Sequence, residues 1–121
     1  MPAGTFTSTA RFGIKTTAPK IIIDTDLGID IDDLLDQMMA DSLATAGELE
    51  IMGICSMYYD TWAGQALTAV RDYQGRTYPV AKNTTVPARL GGPTPEYGLI
   101  LANGNNNKDS SIDVMTFYRT I

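Results

Sequence analysis

Residues 20–33 read KIIIDTDLGIDIDD, a β-branched run that leads into five aspartates within ten residues. Ile21 to Ile23 and their neighbours make too short a run for a helix, and suit a strand buried on both faces of a parallel sheet. From Asp32 the pattern changes. Leu34, Leu35, Met38, Met39 and Leu43 recur at helical spacing, with Asp36, Gln37 and Asp41 on the other side, which predicts an amphipathic helix ending near Gly47. A strand that turns directly into such a helix is the opening unit of an α/β fold.

Outward from this unit the alternation repeats. Glu50 to Ser56 (EIMGICS) reads as a second strand, Trp62 to Tyr73 as a second helix closed by Gly75, and Tyr78 to Ala81 as a short third strand. Residues 83–109 are rich in Asn, Gly, Pro and Thr and read as a long surface loop, with YGLILA a brief apolar interruption. The segment from 110 onward begins like a helix capped by Ser110 or Ser111, with Val114, Phe117, Tyr118 and Ile121 on one face. The fold class expected is therefore α/β, a Rossmann-like parallel sheet with flanking helices joined by right-handed crossovers. Residues 1–19 are expected to form a flexible lead, and residues 20–121 one α/β unit whose few strands leave its sheet poorly covered.

Composition narrows the chemistry. The 121 residues carry a net charge of −5 and only nine scattered Lys and Arg, so there is no basic stripe for nucleic acid. Apolar runs are far shorter than the roughly 20 residues of a membrane span, which points to a soluble protein, without fixing its compartment. The chain has no histidine, which removes Ser-His-Asp and Cys-His catalysis and imidazole metal sites. Its one cysteine, Cys55, lies in an apolar run and reads as a buried thiol. Chemistry is left to carboxylates, hydroxyls, amides or a hard metal ion.

In parallel α/β sheets, ligands bind beyond the carboxyl ends of the strands, which is where Asp24, Asp26, Asp30, Asp32 and Asp33 fall. Asp30 as a helix cap, with Asp32 and Asp33 on the positive helix terminus, accounts for three of them. Asp24 and Asp26 precede Gly28 at the end of a buried strand, where unpaired charge is costly. One is expected to anchor the turn and the other to face a pocket. Together with the helix start they form an oxygen-rich cage suited to calcium, which takes six to eight oxygens, or magnesium. The glycine spacing excludes an EF-hand.

KIIIDTDLGIDIDD also resembles the opening of the inosine-uridine nucleoside hydrolase superfamily, whose first strand ends in DxDxG and runs into an Asp-Asp pair. Here two extra residues, Asp30 and Ile31, precede Asp32-Asp33, as in a hydrolase-like branch. GELEIMGICS, YQGRTYPVA and DVMTFYRTI are similar to that family's next segments. The resemblance implies the N-terminal part of a larger nucleoside hydrolase fold that cleaves the N-glycosidic bond of a ribonucleoside or related riboside. It implies that Asp26 is a calcium ligand and the base that deprotonates the attacking water, that Asp33 is a second calcium ligand, and that Asp32 binds ribose hydroxyls. Asp24, with Asp30, would brace the turn. The family places a sugar-binding Asn after the second strand; CSMYYDTW instead offers Tyr58, Tyr59 and Asp60, with Tyr58 the substrate contact expected here. Half a site is implied, to be completed by a further C-terminal segment or a homo-oligomer. Two other readings remain: a haloacid-dehalogenase-like phosphatase, with Asp24 as nucleophile and Asp26 as acid, and a non-catalytic acidic metal-binding or interaction fragment.

Overall fold

The structure is a computed structural model that describes residues 17–85 and 94–121. Four parallel strands form one sheet in the order β1-β2-β3-β4: β1 Lys20–Thr25, β2 Glu50–Ser56, β3 Val80–Lys82 and β4 Ile112–Asp113. Between them run α1 Asp32–Thr45, α2 Thr61–Tyr73 and α3 Glu96–Gly104, and α4 Val114–Thr120 follows β4 directly. This is the α/β Rossmann-like arrangement expected from the alternation of apolar periods. The first sixteen residues of the expected lead, and residues 86–93 of the expected long loop, lie outside the described residues.

Because each strand pairs with its successor, right-handed crossovers send α1, α2 and α3 to one face of the sheet. Side-chain alternation then makes two cores. On the helix-covered face, Ile23, Ile54 and Val80 meet Leu27, Leu34, Leu67, Val70 and Leu101. On the opposite face, Ile22, Cys55 and Ala81 meet Val114 and the wholly buried Phe117 of α4. Gly53 makes the approach of α4 possible, since a Cβ there would lie 2.5 Å from the Phe117 ring.

Four local expectations are corrected. β1 sits at the sheet edge and its three isoleucines are only half-buried, so the apolar run does not mark a central strand. YGLILA lies within α3, whose buried residues are Gly98 and Ala102. Ser110 and Ser111 do not cap the last helix; Asp113, emerging from the short β4, does so by accepting a bond from the Thr116 N–H at 3.1 Å. The largest difference is α1. Its one buried residue is Gln37, whereas Leu35, Met38, Met39 and Leu43 are exposed.

Polar tethers hold α1 that way round. Arg76, after α2, bonds the Asp41 carboxylate at 2.5 Å, the Asp41 carbonyl at 3.1 Å and the Thr45 hydroxyl at 2.7 Å. Gln74 reaches the Gln37 carbonyl. Among the described residues the inward Gln37 side chain finds no hydrogen-bond partner for either of its polar atoms.

Candidate functional site

The carboxyl edge of the sheet is built from strand-end side chains that fasten the loops after them. The Thr25 hydroxyl accepts from the Leu27 N–H, and the Ser56 hydroxyl from the Tyr58 N–H, both at 3.1 Å. Lys82 donates to the Tyr59 carbonyl at 3.0 Å, and Asp113 accepts from the Thr84 hydroxyl as well as from Thr116. Register places Thr25, Ser56, Lys82 and Asp113 in one row across the four strands.

Asp33 closes the first turn. One of its oxygens accepts from the Thr25 hydroxyl at 2.5 Å and from the Asp26 N–H at 2.9 Å, tying the start of α1 to the end of β1. Leu27 plugs the core beneath the turn at 2% exposure. The Gly28 carbonyl receives the Gly98 N–H at 3.1 Å, and Trp62 packs so closely over both glycines that a Cβ at either would lie within 2.6 Å of its ring. The acidic turn is thus anchored from β1, α1, α2 and α3.

The carboxylates within it differ. The hydrogen bond with Asp33, then partial burial and the Asp33 charge, raise the pKa of Asp26 above its ordinary value. Burial pulls Asp33 upward too, but hydrogen bonds from Thr25, the Asp26 carboxyl and the Asp26 N–H outweigh it and hold Asp33 low. A proton shared by the pair therefore rests on Asp26, and above its titration two negative groups face each other.

The structure brings Asp26 and Asp33 together, and Asp32 stands exposed beside them in the first turn of α1. Asp24 lies on the other side of the sheet, where its charge acts on Cys55 and Tyr118. The two aspartates diverge because the strand ends at Thr25, and the bracing bonds come from Asp33 and Thr25 rather than from Asp24. Asp30 is exposed and makes no cap: Ile31 occupies that position, with no side-chain bond. Tyr58 is 7% exposed, its ring 5.1 Å from that of Trp62, so the pair forms a wall behind the turn. Burial raises the Cys55 thiol to about 11, which keeps it protonated and unreactive at neutral pH.

No protein-family model, curated protein or solved structure matches the chain.

As a metal site the edge fits calcium in kind but not in number. Asp26 and Asp33 are hard oxygen donors whose mutual repulsion a cation would relieve. Among the described residues no three carboxylates, thiols or imidazoles converge. Thr25 is the residue that sequence reasoning missed. Its signal was its position, a hydroxyl at the strand end two residues before a buried leucine, which favours a side-chain-bonded turn.

Proposed function

We propose that this edge serves in hydrolysis of the N-glycosidic bond of a ribonucleoside or related riboside, with calcium as the metal and this chain supplying half of the site. The observation that carries the reading is the Asp26–Asp33 pair, held at the carboxyl end of β1 by the Thr25 hydroxyl and the Asp26 N–H. Asp26 and Asp33 would hold the ion, which when bound supplies Lewis acidity and positive charge at the reacting water. Asp26, the exposed member with the higher pKa, accepts that water's proton. Asp32 takes ribose hydroxyls. Attack at the anomeric carbon builds oxocarbenium-like positive charge, which the surrounding aspartates stabilise. The remaining ligands and the leaving-group acid come from a second copy or a further segment.

Thermal unfolding with and without millimolar calcium tests the metal step. A ligand at 100 times its Kd adds about 2.7 kcal/mol to the folded state. The wild-type midpoint should rise with calcium and that of Asp26→Asn/Asp33→Asn should not; a midpoint indifferent to calcium in both removes the metal site. For the completed protein, nitrophenol release from a nitrophenyl riboside should exceed phosphate release from a nitrophenyl phosphate. The reverse ranking would establish the phosphatase alternative.

A further inference from the structure

We propose that the outward face of α1, with the groove beside it, docks a basic amphipathic helix of a partner protein. Leu35, Met38, Met39 and Leu43 stand 42–64% exposed along this 14-residue helix, and Ile31 extends the row by one turn at its start. The row is continuous with a groove of about 910 Å³ between α1 and the α2–α3 pair, lined by Leu34, Met38, Val70, Tyr73, Ile100 and Leu101. Scattered exposed apolar residues need no explanation, but a contiguous patch leading into an apolar groove marks an interaction surface. Rotation of α1 does not bury this face, because Arg76 and Gln74 hold the helix by its other side.

Charge selects the occupant. α1 carries no Lys or Arg; Asp33 is taken up by the turn and Asp41 by Arg76, which leaves Asp32 and Asp36 exposed, within a chain of net charge −5. A second copy of α1 laid against the first would bring Asp32 and Asp36 of each copy together without a compensating cation on either helix, and an anionic membrane surface is repelled for the same reason. A helix with apolar residues at the i, i+3, i+4 and i+7 positions, flanked by Lys or Arg, satisfies both the apolar row and the exposed Asp32 and Asp36.

The full chain is titrated with two synthetic helices of about 18 residues, long enough to hold helical structure. Both share one leucine stripe; one has Lys flanks, the other Glu. The Lys peptide should bind at least about tenfold tighter, and Leu35→Asn/Met39→Asn, which alters only exposed side chains, should weaken it about tenfold or more. Met115→Asn, exposed on the opposite side of the sheet, should leave its binding unchanged. Equal affinity for the two peptides, no binding of either, or undiminished binding by the double variant overturns the proposal. So does a wild-type dimer in sedimentation that the double variant converts to a monomer, since the occupant would then be a second copy.

Discussion

α1 and α2 are 14 and 13 residues long and each joins two neighbouring parallel strands, yet they present opposite faces to the sheet. α2 buries a continuous side of Ala63, Gly64, Ala66, Leu67, Thr68, Ala69 and Val70, lying over the middle of the sheet with α3 packed on it. α1 lies over the edge, buries only Gln37, and is fixed by Arg76 and Gln74. Apolar periodicity in a helix states that one side seeks cover. Whether the chain's own sheet supplies that cover depends on the neighbours the topology provides.

The contrast can be broken most strongly in α2. Leu67→Ala should cost about 2–5 kcal/mol, measured by urea unfolding, because it empties a fully buried position between two layers. The corresponding truncation Met39→Ala in α1 should stay within about 0.5 kcal/mol, since Met39 is 64% exposed. Equal costs would mean that α1 is seated with its apolar side inward. Next in size is Gln37→Leu, expected to stabilise the fold by about 1–3 kcal/mol through loss of a buried, unsatisfied amide; destabilisation would imply that the amide has a partner. At the end of α2, Asp72 is held near pKa 2, first by Arg71, then by Lys108 and Asn105. A depressed carboxylate stabilises above its unfolded value of 3.8 and loses that contribution as pH falls toward 2. Asp72→Asn should therefore cost up to about 1 kcal/mol at pH 6, with the gap to wild type closing in that acid window. The smallest effect is expected at Cys55. Alkylation of its buried thiol in the folded chain at pH 7 should be negligible, and fast after denaturation.

Much of this architecture was legible. The strand and helix of residues 20–45, the second strand, the second helix and the positive-φ glycines Gly47 and Gly75 all follow from apolar period and turn chemistry. α3 and β4 were hidden for physical reasons. LILAN sits in an Asn- and Gly-rich context of poor helix propensity, and is ordered by packing on α2; the two residues of β4 are too few to carry a period. At the candidate site, the density of aspartates located the edge, but acidity alone could not separate Asp26 and Asp33, which meet, from Asp24, which lies across the sheet. That partition depends on the residue at which β1 stops, and the decisive hydroxyl of Thr25 carries no charge to draw notice.

The unbroken strand order has a consequence for how the chain acquires its shape. Among the described residues each strand after β1 pairs with the one made just before it, so this part of the sheet can grow in step with synthesis. The bonds from Thr25 and Asp26 to Asp33 span eight residues or fewer and enclose a loop that closes on a sub-microsecond scale. The acidic turn is therefore among the earliest features able to form, while the strands that complete the edge are still emerging.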